Sequence, residues 1–68
     1  MKNNLYKHAA MAVIVDILTA KCNSLRDVVK RSTEYYNGNY DVIPEYAQRD
    51  IDKASAIADF IEDFISKL

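Results

Sequence analysis

Residues that break helices are almost absent from this chain of 68 residues, which contains one glycine and one proline. Tryptophan is absent as well, whereas 50% of the residues are hydrophobic. A disordered chain would be richer in glycine and proline and poorer in apolar side chains. The composition therefore predicts a folded, all-α protein, and the length fits a single domain over residues 1–68.

Residues that carry chemistry are equally scarce, since there is one cysteine, Cys22, and one histidine, His8. A lone cysteine cannot form an internal disulfide, and no histidine or cysteine pair has the spacing of metal ligands. On one helix the two side chains would be about 21 Å apart, which is too far for a catalytic dyad. We therefore expect no catalytic residue, no metal, no cofactor and no enzymatic activity.

Net charge and long apolar runs are also limited. The net charge of −1 gives no overall attraction to nucleic acid phosphates or to anionic lipid. The apolar run at residues 9–15 is far shorter than the roughly 20 residues of a membrane span. Together with the single cysteine, these features favour a cytoplasmic protein that has no membrane contact.

The spacing of the apolar residues predicts three helices, over residues 4–21, 25–36 and 44–67. Asn23 and Ser24 separate the first two helices in this prediction, because their side-chain oxygens suit the N-cap of a helix. The expected fold is a three-helix bundle that is completed by dimerisation, since a chain this short buries only a thin core.

The loop between the second and third predicted helices begins at Asn37 and Gly38. Both residue types tolerate the left-handed conformation that ends many helices. Pro44 then suits the first turn of the third helix, where its missing N–H sacrifices no hydrogen bond.

The first predicted helix has more apolar surface than one helix face can hold. Helical geometry divides this surface into two stripes that together cover about 240° of the circumference. One stripe contains Tyr6, Ala10, Val13, Ile17 and Ala20. The other contains Met11, Ile14, Val15, Leu18 and Cys22. We expect the first stripe to pack within the chain, and Met11, Ile14, Val15 and Leu18 to contact a second copy. The reverse assignment and a monomeric bundle are the alternatives.

Two sets of residues are candidates for binding a partner protein. Tyrosines surround the predicted loop, and tyrosine is enriched in binding hot spots because it offers a large contact area and a polar tip. They are Tyr35, Tyr36, Tyr40 and Tyr46. Carboxylates close to one line along the third helix suit a basic partner, and they are Glu45, Asp52, Asp59 and Asp63. The alternatives are packing at the bundle end for the tyrosines and a solvated face for the carboxylates.

These observations favour a small, non-catalytic protein that regulates or inhibits a partner protein by occluding or modulating it as a homodimer. One alternative is a DNA-binding transcriptional regulator that uses helix 25–36, although Asp27 and Glu34 beside Arg26 and Lys30 disfavour contact with phosphates. A second alternative is a small structural subunit of a larger assembly. The size and acid balance resemble those of small bacterial or phage regulatory proteins in composition only.

Overall fold

The chain folds into an antiparallel helical hairpin in a computed structural model, which describes residues 2–68, with side chains from Tyr6 onward. Helix α1 covers Lys2–Asn39 and helix α2 covers Glu45–Ser66. Residues 40–44 join them at what we call the closed end. Residues 2–68 contain no β-strand, so the predicted all-α class is confirmed. Neither helix is both long enough and apolar enough over these residues to cross a lipid bilayer.

The prediction of three helices is wrong, because residues 4–21 and 25–36 belong to one continuous helix, α1. Asn23 and Ser24 are exposed residues in the interior of that helix and cap nothing. Weak helix formers such as these cost only about 0.5 kcal/mol each relative to alanine at an exposed helical position. The dimerisation that was predicted to complete the bundle stays a prediction.

The continuity of α1 follows from the spacing of the side chains that face α2. Buried and half-buried residues recur at alternating intervals of four and three, as in helices that pack nearly antiparallel. On α1 this series is Met11, Val15, Leu18, Cys22, Leu25, Val29, Ser32 and Tyr36. On α2 it is Ala47, Ile51, Ala54, Ala58, Ile61 and Ile65. A break after Cys22 would move the second half of the α1 series off the face that packs against α2.

The core between the helices is thin. Its centre is formed by Cys22, Ala58 and Ile61, with Leu18, Leu25 and Ile65 packed against them. Ala58 has no exposed surface, which brings the two helix backbones close together at this level. None of the described side chains is both large and fully buried. A hairpin with so little buried apolar volume has only a marginal free energy of unfolding.

Helix α1 also ends later than predicted. Asn37 and Gly38 lie within the helix, and Gly38 does not have the positive φ of a left-handed cap. The helix ends at Asn39, whose side-chain amide donates a hydrogen bond to the carbonyl of Tyr35 at 2.7 Å. A side chain therefore satisfies a carbonyl of the last turn, and Gly38 does not serve as the left-handed residue that ends the helix.

Helix α2 begins and ends within one residue of the prediction of residues 44–67. Pro44 is the N-cap residue rather than the first helical residue, and its carbonyl accepts a hydrogen bond from the N–H of Gln48 at 2.9 Å. A proline is suited to this boundary because it pre-sets its own φ and disfavours helix in the residue before it.

Replacing Gly38 with alanine is expected to raise the free energy of unfolding by about 0.5–1 kcal/mol. The added Cβ meets no atom within 4 Å, and the helical backbone at this position suits alanine better than glycine. Urea denaturation followed by circular dichroism measures the change. A decrease in stability would instead indicate the left-handed cap that the sequence alone predicts.

Candidate protein-binding surfaces

Four tyrosines lie at the closed end of the hairpin, as the sequence predicts. Tyr35 and Tyr36 lie near the end of α1, Tyr40 begins the loop and Tyr46 lies in the first turn of α2. The ring centroids of Tyr35 and Tyr36 are 5.1 Å apart with planes at 85°, and those of Tyr36 and Tyr40 are 5.3 Å apart. Edge-to-face and tilted pairs at these distances attract each other. We call these four residues the tyrosine cluster.

The environment of the tyrosine cluster raises the pKa of two of its phenols, Tyr36 and Tyr40. Burial raises the pKa of Tyr36, and the neighbouring Tyr46 hydroxyl adds to this rise. The pKa of Tyr40 is raised mainly by the proximity of Tyr35. Both phenols therefore keep their protons at neutral pH, where each hydroxyl can donate one hydrogen bond and accept others.

Much of the tyrosine cluster is accessible to a partner. Tyr46 is 65% exposed, and Tyr35 is 55% exposed although its ring contacts those of Tyr36 and Tyr40. Val42, in the adjoining loop, is 79% exposed and adds apolar area to the same end. Packing among Tyr35, Tyr36 and Tyr40 therefore restrains these three rings, while Tyr35 and Tyr46 stay accessible.

The predicted acidic row lies on the exposed side of α2, but its carboxylates already have partners within the chain. Glu45, Asp52 and Asp63 each accept from a side chain one turn away. The donors are Arg49 at 2.7 Å, Gln48 at 2.8 Å and Lys67 at 2.8 Å, respectively. Exposed pairs of this kind contribute little to stability. The role of the row in partner binding stays a prediction.

Asp59, the fourth residue of the row, takes part in an ion pair that joins the two helices. Arg26 Nη2 lies 2.7 Å from Asp59 Oδ1 and 2.8 Å from Glu62 Oε1. Hydrogen bonds to Glu62 and then Asp59 raise the pKa of the Arg26 guanidinium. The guanidinium of Arg26 is thus engaged by α2, which leaves it less available for an external anion.

Cys22 lies beside this ion pair and is buried. Its Sγ lies 3.5 Å from the carbonyl oxygen of Ala58 and 3.6 Å from Glu62 Oε1, and either oxygen can accept the thiol proton. Burial raises the pKa of the thiol, the opposite of what a nucleophilic cysteine requires. His8 is exposed on α1, far from this thiol along the helix. In the part of the chain that the structure describes, no group of three or more His, Cys, Asp or Glu side chains is arranged to hold a metal ion.

A second surface, which the sequence analysis did not single out, runs along one side of the hairpin. Phe60 and Phe64 of α2 line a groove together with Leu18 of α1. Helical geometry places Ile14 and Ile17 beside Leu18 on this side of α1. We call the exposed residues of this surface the apolar flank, and they are Ile14, Ile17, Ile57, Phe60 and Phe64.

The opposite side of the hairpin is polar. There Thr19, Asn23 and Glu62 line a shallow groove next to Cys22. The Arg26 ion pair lies on the same side, because it shares Glu62. The two sides of the hairpin therefore differ in character, one being apolar and the other charged and hydrogen-bonded.

The residues predicted to contact a second copy fall into two groups. Met11, Val15 and Leu18 are half-buried on the side of α1 that faces α2, and Leu18 packs against the core. Ile14 is exposed and belongs to the apolar flank. Ile17, which was expected to pack inside the chain, is 62% exposed on the same flank. The stripe that contains Met11, Val15 and Leu18 therefore packs mainly within the hairpin. The stripe that contains Ile17 is more exposed and leaves apolar side chains in solvent.

Comparison with known proteins finds no match for this chain among protein-family models, curated proteins or solved structures. The tyrosine cluster and the apolar flank are therefore the features from which a function is argued.

Proposed function

We propose that this chain is a small, non-catalytic regulator or inhibitor that binds a partner protein through the tyrosine cluster and thereby occludes or modulates that partner. The observation that supports this function is the exposure of Tyr35 and Tyr46 at the closed end, where contacts with Tyr36 and Tyr40 hold the Tyr35 ring in position. Tyr46 and Tyr35 present apolar ring faces and polar tips to solvent on a helical scaffold.

Fixed rings favour binding because little conformational entropy is lost when the partner arrives. A tyrosine has few rotatable bonds for its contact area, and Tyr35, Tyr36 and Tyr40 restrict one another further. Val42 supplies apolar contact next to them. Glu45, which lies next to Tyr46 in the sequence, is paired with Arg49, so a partner with an apolar pocket and hydrogen-bonding groups at its rim fits best.

The chain acts as a homodimer in this proposal. The DNA-binding alternative receives less support, because α1 has no turn before residue 25 and therefore lacks a helix-turn-helix. Arg26, which that alternative requires, is also paired with Asp59 and Glu62.

Replacing Tyr46 with alanine is expected to reduce recovery of the partner from a native lysate at least tenfold, the effect of losing about 1.4 kcal/mol of binding energy. The tagged full-length chain is the bait, and quantitative mass spectrometry measures the recovered proteins. A protein whose recovery depends on Tyr46 is then purified and its affinity is measured by calorimetry.

The matched control is Tyr6→Ala, because Tyr6 is an equally exposed tyrosine on a helix but lies far from the cluster. Recovery of the partner should be the same with this variant as with the original chain. If the Tyr46 and Tyr6 variants retained every bound protein equally, the tyrosine cluster would not be the binding surface.

A further inference from the structure

The chain exposes more surface than a compact monomer of its size. Its accessible area is 5588 Å², whereas a folded monomer of 7.8 kDa exposes about 4,400 Å². Its radius of gyration is 16.6 Å, against about 11 Å for a compact domain of this length. The excess of about 1,200 Å² is somewhat more than the roughly 800 Å² that each partner buries in a standard protein interface.

The apolar flank is a hydrophobic part of this exposed surface. Phe60 is 70% exposed, and Ile57 and Phe64, about one turn before and after it, are also exposed. Ile14 and Ile17 continue the surface onto α1. Large aliphatic and aromatic residues from both helices thus form one patch, and contiguous patches of this kind mark interaction sites.

One charged residue adjoins the apolar flank on each helix. Lys21, one turn after Ile17 on α1, and Lys53, one turn before Ile57 on α2, are exposed. An apolar centre with a charged rim is the usual arrangement of a protein interface.

A second copy of this chain is the occupant that best fits the flank. Among the side chains that the structure describes, from Tyr6 onward, five are buried, namely Cys22, Ala47, Ile51, Ala58 and Ile61, and three of them are small. A hairpin of such low stability requires its exposed apolar side chains to be buried by a partner as it folds. Another copy of the chain is the partner that is always present. Two helical hairpins that pack through their apolar sides make a four-helix bundle, a common way to bury such sides.

We infer that two copies of the chain associate through Ile14, Ile17, Ile57, Phe60 and Phe64 into a four-helix bundle. This inference rests on the homodimer of the proposed function, and it specifies which residues form the contact between the two copies. The tyrosine cluster and the Arg26 ion pair lie outside the interface, at the closed end and on the opposite side of the hairpin. Each dimer therefore carries two free tyrosine clusters.

The mass of the full-length chain in solution is the first test. Sedimentation equilibrium at concentrations of tens of micromolar is expected to give twice 7.8 kDa. Because dimerisation stabilises the folded state by mass action, the midpoint of thermal unfolding should also rise by several degrees when the concentration is raised a hundredfold.

Phe60→Lys is the variant that tests the position of the interface. A lysine at the centre of an apolar contact is desolvated without a partner, and the dimer dissociation constant is expected to rise at least about 100-fold. The matched control is Tyr46→Lys, which places the same charge on an equally exposed aromatic position outside the flank. This control should keep the dimer.

The outcomes separate the two proposals. If the Phe60→Lys variant remained a dimer, the position of the interface would be wrong but the homodimer would stand. If the original chain were a monomer, the interface and the homodimer would both be wrong. A higher oligomer would overturn the dimer and favour the structural-subunit alternative. If Phe60→Lys fails to fold, the original chain decides the question, since an unfolding midpoint independent of concentration would overturn the inference. Capture of a partner through Tyr46 is measured independently of all these results.

Discussion

Replacing Ser24 with proline is expected to abolish the folded hairpin. Ser24 lies near the middle of α1, with helix extending in both directions from Lys2 to Asn39. A proline there removes one backbone hydrogen bond and clashes with the preceding turn, at a cost of about 3 kcal/mol or more. The thin core around Cys22 and Ala58 leaves little stability to offset this cost. Loss of the helical circular dichroism signal at room temperature is the measurement.

The conservative change at the same position, Ser24→Ala, is expected to change the free energy of unfolding in opposite directions in a continuous α1 and in the predicted three-helix fold. In a continuous helix alanine is the better helix former and raises the free energy of unfolding by about 0.5 kcal/mol. If Ser24 capped a separate helix, its loss would lower the free energy of unfolding by about 1 kcal/mol. If the Ser24→Pro variant folded and the Ser24→Ala variant were less stable than the original chain, the results would contradict a continuous α1 and support the three-helix fold.

Replacing Ala58 with aspartate is expected to unfold the chain as well. Ala58 is 0% exposed and lies against the Cys22 thiol, so the new carboxylate would be buried next to an Arg26 guanidinium that Asp59 and Glu62 already engage. Glu62 on the same side adds repulsion, because it already lies near Cys22. An uncompensated buried charge of this kind costs about 3–5 kcal/mol, which exceeds the margin of a small hairpin. Urea denaturation and circular dichroism measure the loss.

Ala56→Asp is the matched control for this variant. Ala56 lies two residues earlier on α2 and is exposed, so the same substitution costs only the lower helix propensity of aspartate, about 0.7 kcal/mol or less. Equal stability of the two aspartate variants would contradict the position of Ala58 between the helices.

The helical class and α2 follow from the sequence because a long amphipathic pattern and Pro44 define that helix locally. The break at Asn23 and Ser24 was predicted from local cap preference, which is weaker than packing. The spacing of Leu18, Cys22 and Leu25, at intervals of four and three residues across the predicted break, favours a continuous helix. Local preferences of about 0.5–1 kcal/mol are overridden when one straight helix aligns every core residue.

The tyrosine cluster was predictable because its members surround one short loop, and chain connectivity alone brings them together. The apolar flank was not, since it joins Ile14 and Ile17 to Phe60 and Phe64 across the two helices. That pairing depends on the register of α1 against α2, which is set only when Cys22 packs against Ala58. Before the register is known, Phe60 is indistinguishable from a marginal core residue of α2.

The chain reversal at residues 40–44 also orders the steps by which the hairpin forms. Tyr36 and Ala47 line one groove and are close in sequence, so bringing them together costs little loop-closure entropy. Cys22 and Ala58 are 36 residues apart and meet readily only after the turns between them and the loop have zipped together. The end that presents the tyrosines is therefore the first to form and the last to fray, while the apolar flank is assembled late.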